Sequence, residues 1–291
     1  MVAKTHYRCM SDDEFRLLRD CIYAQYGIHF APDSKYILEK RLSGRLTDLD
    51  LPTFQEYCRY IQHLQGKEQE LLVIMDVLTN NETYFFREPF QLKAFSEEVI
   101  PELITKKTAL GNRSLRIWSA GCSTGEEPYT IAMLLSGIPE LAGWDIEIIG
   151  TDISQKVLQH AQRALYGKSS FRATTEQDLK RFFLLHEDGF VVKDSIRKMV
   201  TIRNFNIFDE NRHSDIGAVD IIFCRNVMIY FDQSAKKRAI DLFYSDLQGG
   251  GFLLLGHSES LMNIPTAFTL RHFLNDMIYQ KPESFSQGGA A

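Results

Sequence analysis

The sequence predicts an α/β protein in which a largely parallel sheet carries helices on both faces, with an N-terminal all-α domain and a small antiparallel β insertion. Three observations predict this architecture. The first 78 residues show helical periodicity and no strand pattern. From Ser114 onward, short apolar runs alternate with helical segments, which is typical of βαβ units. Near residue 188, an Asp-Gly pair between β-prone runs indicates a hairpin inside the second region.

The helical domain is predicted over residues 1–78. Ser11 and Glu14 have the spacing of a capping box, so a first helix begins there and runs toward Gly27. Because helical periodicity continues, three further helices complete a bundle of about four. They are predicted at 32–46, after Pro52-Thr53 and at 67–78.

The main domain is predicted over residues 114–283, after a linker and domain start at 79–113. Its antiparallel insertion is placed at about 171–199, and the Gly-, Ser- and Ala-rich tail at 284–291 is expected to be disordered. The predicted strands are 115–119, 146–152, 199–204, 219–224 and 251–256, followed by two antiparallel strands within 268–280.

Composition and charge exclude several classes of protein. The 44% hydrophobic and 24% charged composition is ordinary for a soluble globular protein. There is no apolar run of eighteen residues and no signal-peptide pattern at the start, so a cytoplasmic location is predicted. A net charge of −5 argues against broad nucleic-acid binding. The five scattered cysteines contain no C-x-x-C pair, and His and acidic residues lack ligand spacing, so we expect reduced thiols and no metal.

A turn with the spacing G-x-x-x-G follows the first predicted strand. Gly121 and Gly125 allow close backbone approach to a ligand, but two glutamates open the next helix, where they would repel a phosphate. Carboxylates at this place suit a ligand that carries positive charge and hydroxyls. S-adenosylmethionine, with an amino group, a sulfonium and a ribose, fits this pattern better than the nucleotide cofactors.

Polar residues also follow the other predicted strands. Asp152 ends the second strand, where an acid can accept hydrogen bonds from both ribose hydroxyls; alternatively it caps the helix that starts near Ser154. Asn206, Arg225 and Asn226 follow later strands, where they either reach the ligand or form turns. Ligands of open α/β sheets bind at this carboxyl edge, so we expect these side chains to surround one site.

Three segments together closely resemble the CheR family of chemotaxis receptor methyltransferases: 78–88, 119–129 and 223–231. The resemblance covers essentially the whole chain and implies the Rossmann-like fold of S-adenosylmethionine-dependent methyltransferases. It also implies methyl transfer from S-adenosylmethionine to glutamate side chains of chemoreceptors. The products would be glutamyl γ-methyl esters, used in chemotaxis adaptation, and S-adenosylhomocysteine.

The same resemblance implies the residues of the site. Arg87 and Tyr230 are implied as the catalytic pair. Taken alone, Arg87 would form a salt bridge with Glu88 or another helix residue, and Tyr230 would be a half-buried aromatic after a strand. A glutamate carboxylate is already ionised at pH 7, so no general base is needed, and an Arg fork with a Tyr hydroxyl suits holding it. The implied cofactor-binding residues are Asn81, Thr83, Arg87, one or both of Glu126 and Glu127, Asp152, Asn206, Ile207, Arg225 and Asn226.

Partner surfaces are predicted at two places. Lys35, Lys40, Arg41 and Arg45 make the second helix basic, either as a solvated face or, as the resemblance suggests, as a dock for the acidic methylation region of a receptor. Some family members bind a receptor C-terminal pentapeptide at the edge of the β insertion. The loop here is short and has one glycine, so we expect receptor recognition not to depend on such a peptide.

Two other functions remain open from the sequence. One is a methyltransferase with the same cofactor site that acts on another protein or on a small molecule. The other is a signalling module that binds S-adenosylmethionine without turnover, which the presence of both Arg87 and Tyr230 argues against. Methylation of DNA or RNA is the least favoured, because no basic aromatic patch accompanies the motifs.

Overall fold

The computed structural model describes residues 8–63, 67–79 and 82–283. The N-terminal unit consists of four helices, as the sequence predicts. The first begins with a reciprocal capping box between Ser11 and Glu14 and ends at Gly27, whose φ of 66° is left-handed. A Cβ at Gly27 would lie 2.4 Å from the Phe208 ring, so this position needs glycine. The helices are α1 (Asp12–Tyr26), α2 (Lys35–Asp48), α3 (Phe54–His63) and α4 (Lys67–Leu78), with one 3₁₀ turn, Pro32–Ser34, before α2.

A long helical segment precedes the sheet, where the sequence indicated only a linker and the start of the main domain. Pro89 begins it, which suits a first helical position because proline lacks an N–H. The segment continues through a π-helical stretch, Phe95–Val99, and ends at Ala109. The helices of the main domain are α5 (Pro89–Ala94), α6 (Ile100–Ala109), α7 (Glu126–Leu135), α8 (Gln155–Arg163), α9 (Glu176–Phe182), α10 (Asp194–Arg197), α11 (His213–Ile216) and α12 (Gln233–Asp246).

The seven-stranded sheet has the order β6-β2-β1-β7-β8-β10-β9. Its first five strands are parallel, and β10 pairs antiparallel with both β8 and β9. This confirms the predicted fold class and the two terminal antiparallel strands. The strands of the chain are β1 (Ser114–Ala120), β2 (Asp145–Asp152), β3 (Leu165–Tyr166), β4 (Phe183–His186), β5 (Gly189–Val192), β6 (Val200–Asn204), β7 (Val219–Cys224), β8 (Leu247–Leu255), β9 (Thr269–His272) and β10 (Met277–Gln280).

The predicted antiparallel insertion is present, but it begins earlier and is arranged differently. Its sheet has the order β3-β5-β4, so the two-residue strand β3 lies before residue 171. A strand of two residues has no periodicity that sequence analysis could detect. Arg181 and Phe182, which fall inside the range predicted for the antiparallel insertion, belong to the helix α9, whose N-terminus is capped by the Thr175 side chain. At the turn, a Cβ on Gly189 would lie 2.3 Å from the Tyr166 carbonyl oxygen.

The helical unit and the sheet share a hydrophobic core. Successive residues of β1 point to opposite faces, so Ile117 and Trp118, both fully buried, belong to two different clusters. The cluster around Trp118 also contains Leu18 of α1 and Leu38 of α2. The N-terminal helices therefore pack onto one side of the sheet.

Main-chain contacts also join the two parts. Ile28, just after α1, forms an isolated antiparallel bridge with Phe231, and the His29 N–H donates to the Tyr230 carbonyl at 2.9 Å. The side-chain amide of Asn206 donates to the Gln25 carbonyl at 2.8 Å. Among the described helices, none is both long and apolar enough to cross a bilayer.

Candidate functional site

A cleft of about 920 Å³, measured out to its open mouth, lies at the carboxyl ends of β1, β2, β6 and β7. The order in which strands are added to the sheet reverses here, because β2 and β6 lie on one side of β1 and β7 on the other. Open α/β sheets bind ligands at such a point. The lining residues are Tyr26, Ile28, Thr79, Glu82, Thr83, Arg87, Gly121, Cys122, Ser123, Glu127, Asp152, Ile153, Phe205, Asn206, Ile207, Phe208, Arg225, Asn226, Val227, Tyr230 and Phe231.

The glycine-containing turn after β1 brings main-chain atoms to the cleft. Gly121 and Gly125 have φ angles of 78° and 93°, in the left-handed region that glycine adopts without strain. The N–H groups of Gly121 and Cys122 both donate to the Thr151 carbonyl at 2.8 Å. A Cβ at Gly121 would lie 2.3 Å from Val227, so a side chain there would push the facing wall away.

Asp152 lies where the sequence predicts, at the tip of β2 on the cleft wall. Its two carboxylate oxygens accept the N–H groups of Ser123 at 2.9 Å and Ser154 at 3.0 Å. Burial raises the pKa of the Asp152 carboxyl, while these hydrogen bonds act in the opposite direction. The N-cap of α8 is Ser154 itself, whose side chain accepts the Val157 N–H, so capping does not account for Asp152.

The two glutamates at the start of α7 have different surroundings. Glu127 lines the cleft, and its oxygens accept from the Ser119 hydroxyl at 2.7 Å and from Arg225 at 2.6 Å. Glu126 was also named as a cofactor-binding candidate, but the structure does not bring it to the cleft. It is 2% exposed, and its oxygens accept the hydroxyls of Thr124 at 2.6 Å and Ser170 at 2.9 Å.

Arg225 ties three segments of the cleft wall together. Its side chain is 3% exposed and donates to Glu127, to the Arg87 carbonyl at 2.9 Å and to Glu88 at 3.4 Å. It is therefore Arg225 that pairs with Glu88. The guanidinium of Arg87 donates instead to the Glu82 carbonyl at 2.8 Å and lies 5.7 Å from the centre of the Tyr84 ring.

The remaining predicted residues meet at the same cleft, with one outside the described ranges. Thr83, Arg87, Asn206, Ile207 and Tyr230 all line it. The Asn206 side chain also accepts the Phe208 N–H at 3.0 Å, which fixes the loop after β6. Asn226 lines the cleft with a left-handed φ of 61° and starts the segment that we call the 226–230 turn, which ends at Tyr230. Asn81 lies outside the described residues.

Several lining residues were missed by sequence reasoning. Tyr26 and Ile28 come from the helical unit and lie in none of the three segments that carry the resemblance, whereas Thr79 lies in the segment 78–88, which could have indicated it. Cys122 belongs to the glycine turn, so the motif itself could have indicated it. Burial raises the pKa of the Cys122 thiol, which disfavours the thiolate form that acts as a nucleophile.

The basic helix α2 is largely engaged within the protein. Arg45 forms a two-pronged contact with the buried Glu70, at 3.0 and 2.7 Å, and Arg41 donates to the Leu78 carbonyl. Lys35 pairs with Asp12 at 2.7 Å, whereas Lys40 is exposed. The four cations therefore do not form one solvated face.

The donor and acceptor set of the cleft fits S-adenosylmethionine. Asp152 and Glu127 offer carboxylate oxygens that can accept from ribose hydroxyls and an amino group. Their negative charge suits an ammonium and a sulfonium. Apolar residues from both parts of the chain, including Ile28, Phe205 and Val227, supply the walls.

Comparison with known proteins gives matches along nearly the whole chain. The family profile described as "CheR methyltransferase, all-alpha domain" matches residues 13–79, and "CheR methyltransferase, SAM binding domain" matches residues 81–274. Chemotaxis protein methyltransferase 2 of Vibrio cholerae is 37% identical over 275 residues, which cover 94% of each chain. A chemotaxis protein methyltransferase of Borreliella burgdorferi is 36% identical over 256 residues, 87% of this chain and 89% of that protein.

Proposed function

The chain belongs to the CheR methyltransferase family, and we propose that it transfers the methyl group of S-adenosylmethionine to glutamate side chains of chemoreceptors. The products are glutamyl γ-methyl esters and S-adenosylhomocysteine. The observation that carries this proposal is that Arg87 and Tyr230 line the same cleft as Asp152 and Glu127. Two side chains suited to holding a carboxylate therefore line the same cleft as two side chains suited to binding the cofactor.

The chemistry needs alignment more than acid–base catalysis. A glutamate side chain has a pKa of about 4.3 and is ionised at pH 7, so its carboxylate attacks without a base. When bound, S-adenosylmethionine supplies a methyl group whose bond to sulfur breaks, with its electron pair left on sulfur, as the new oxygen–carbon bond forms. The protein must hold oxygen, carbon and sulfur in line and exclude water around the carboxylate.

We assign the roles of the cleft residues on this basis. Arg87 and Tyr230 donate hydrogen bonds that orient the substrate carboxylate, because both are directional donors. Asp152 accepts from the ribose hydroxyls, and Glu127 faces the cationic end of the cofactor. Thr83, Asn206, Ile207, Arg225 and Asn226 complete the cofactor wall. Asn81 is kept as a cofactor-binding residue on the resemblance alone.

We also assign the receptor-facing side of the helical unit to α2. With Arg45 and Lys35 engaged internally, the support for this surface rests on the exposed Lys40 and on Arg41, whose contact with the Leu78 carbonyl places it beside the cleft residue Thr79. A positive surface near the cleft attracts an acidic receptor segment. The site of action on this proposal is the cytoplasmic part of the receptor.

A methyl-transfer assay tests the function directly. S-adenosylmethionine labelled in its methyl group is incubated with the protein and with membranes that contain chemoreceptors, and the membranes are then treated with mild alkali. Esters release volatile labelled methanol, whereas methyl groups on nitrogen remain bound. Alkali-labile label on the receptor is the expected result. Absence of label, in a protein that binds the cofactor, would contradict receptor esterification.

A further inference from the structure

A half-buried carboxylate behind the cleft wall holds the 226–230 turn. Oε2 of Glu259 accepts the N–H groups of Asn226 at 2.7 Å and Gly256 at 2.8 Å, and Oε1 accepts that of Ile229 at 3.2 Å. The Met228 N–H donates to the same carboxylate. Three of these four amides belong to the turn that brings Asn226 and Tyr230 to the cleft.

The backbone around Glu259 is shaped to receive this carboxylate. Asn226 has a φ of 61°, a conformation that side-chain-bearing residues adopt rarely and at an energetic cost. A Cβ at Gly256 would lie 2.8 Å from Oε2 of Glu259, so glycine leaves the room for the contact. Four N–H groups that converge on one point need an acceptor with several lone pairs, which an ionised carboxylate supplies.

We propose that Glu259 is a positioning residue, which fixes the 226–230 turn and thereby places Asn226 and Tyr230 for methyl transfer. This inference rests on the proposed function, because it assigns Tyr230 to the substrate. The pKa of the Glu259 carboxyl is raised overall, because the effect of burial outweighs that of the converging amides, which lower the pKa and bind the ionised form. The Gln side chain is nearly isosteric, but its NH₂ would face N–H groups.

Glu98 provides a matched control. Its carboxylate also accepts main-chain N–H groups, from Leu274 at 2.7 Å and Asn275 at 3.2 Å, but these belong to the connection between β9 and β10, away from the cleft. Glu259→Gln is expected to lower kcat about 10- to 100-fold, the scale of a misplaced catalytic group. It should raise the Kd for S-adenosylhomocysteine about tenfold, because Asn226 lines the cleft. Glu98→Gln should change neither kcat nor the Kd for S-adenosylhomocysteine by more than about twofold.

A double-mutant cycle separates positioning from general loss of structure. If Glu259 acts through Tyr230, then Glu259→Gln should lower kcat less than about threefold in a Tyr230→Phe background, because the hydroxyl that it misplaces is absent. If Glu259→Gln caused only a general structural defect, the fold-reductions in kcat caused by the two substitutions would multiply in the double variant. Glu259→Asp keeps the carboxylate and should recover part of the kcat; it also serves if the Gln variant does not fold.

The outcomes distinguish this inference from the proposed function. Multiplicative effects in the cycle, or a Glu259→Gln protein with unchanged kcat and Kd, would overturn the positioning role. Calorimetric binding of S-adenosylhomocysteine needs no receptor, so the Kd comparison with Glu98→Gln still tests Glu259 if the wild-type protein fails to methylate receptors. In that case the proposed substrate is wrong, but an increased Kd for S-adenosylhomocysteine in Glu259→Gln would still show that Glu259 positions the cofactor wall.

Discussion

At the scale of single residues, neighbouring side chains of the same type differ because of what each one contacts. Glu126 and Glu127 are adjacent, yet a helix turns about 100° per residue, so they point in different directions. Glu126 is buried against two hydroxyls, and Glu127 faces the cleft. The pair is therefore a natural internal comparison between a structural and a ligand-facing carboxylate.

We expect Glu127→Gln to weaken cofactor binding and Glu126→Gln to weaken the fold. The loss of charge at Glu127 removes attraction to a cationic ligand and leaves Arg225 without its partner at 2.6 Å. Loss of hydrogen bonds at the buried Glu126 should cost about 1–3 kcal/mol of unfolding free energy. Calorimetric titration with S-adenosylhomocysteine and urea unfolding measure the two effects. Equal loss of affinity in both variants would show that Glu126 also serves the ligand.

The proposed catalytic pair is tested by turnover. Arg87→Ala should lower kcat about 100-fold or more, because it removes the directional fork that holds the carboxylate, and Tyr230→Phe should lower it less. Arg16→Ala is the control, since this arginine side chain is 62% exposed and pairs with Asp13 across one helical turn. Rates are measured with saturating receptor and cofactor. The assignment fails if all three proteins turn over at the same rate.

The residues of the candidate site were predictable where a polar residue directly follows the apolar run of a strand. Asp152, Arg225 and Asn226 follow apolar runs directly, so the sequence indicated their common edge. The role of Glu259 was not predictable, because its four partners lie up to 33 residues away and are main-chain amides. The contact between Arg45 and Glu70 was not predictable either, because the two residues are 25 positions apart and lie on different helices, α2 and α4.

At the scale of elements, α2 presents one exposed cation in a helix whose other basic residues are engaged. Lys40→Glu should raise the KM for receptor several-fold and leave the Kd for S-adenosylhomocysteine unchanged, because it reverses a charge on the proposed docking surface. The effect should shrink at high salt. Lys237→Glu on α12 is the control, since the Lys237 side chain is 40% exposed but pairs with Asp241. An equal effect from both variants would remove α2 as the dock.

A buried ion pair joins α11 to α12 and should make stability depend on pH. Nδ1 of His213 lies 2.6 Å from the Asp246 carboxylate, and Nε2 lies 2.8 Å from the carbonyl of the cleft residue Ile207. Both partners accept, so both ring nitrogens carry protons. Burial lowers the pKa of His213, but Asp246, the Ile207 carbonyl and the charge of Asp209 outweigh it, and the pKa is raised overall.

This raised pKa sets the direction of the effect. The imidazolium contributes stability that is fully present below the unfolded-state pKa of about 6.5 and is lost as the pH rises through the folded-state value. Thermal unfolding between pH 6 and pH 9 should therefore show a falling midpoint, and His213→Gln should flatten that dependence. His63→Gln, at an exposed position of α3, should retain it. An unchanged slope in His213→Gln would contradict the assignment.

Elements with strong local signals were predictable, and those defined by tertiary contacts were not. The Ser11 capping box and Gly27 fixed the bounds of α1, and the apolar run of β7 was indicated at its observed bounds. The helical segment from Pro89 to Ala109 was hidden because its π-helical stretch interrupts the regular period. The two residues of β3 form a strand only because β5 lies beside them.

At the scale of the whole molecule, the cleft belongs to both parts of the chain. Tyr26 and Ile28 line it from the helical unit, and the two parts share a core around Trp118. Binding of S-adenosylhomocysteine should therefore slow amide hydrogen exchange in residues 26–31 as well as in the 226–230 turn. The small sheet of β3, β4 and β5 is the control. Slowing confined to the main domain would show that the helical unit does not close over the ligand.

The contact between the α1–α2 connection and the 226–230 turn is made by main chain: the bridge of Ile28 with Phe231 and the bond from the His29 N–H to the Tyr230 carbonyl. Such a contact depends on backbone shape and tolerates many side chains. A relative with different N-terminal helices can therefore keep this joint, provided that it also keeps the shared hydrophobic core around Trp118. By the same reasoning, receptor preference can diverge during evolution while the geometry around the reacting carboxylate is inherited intact.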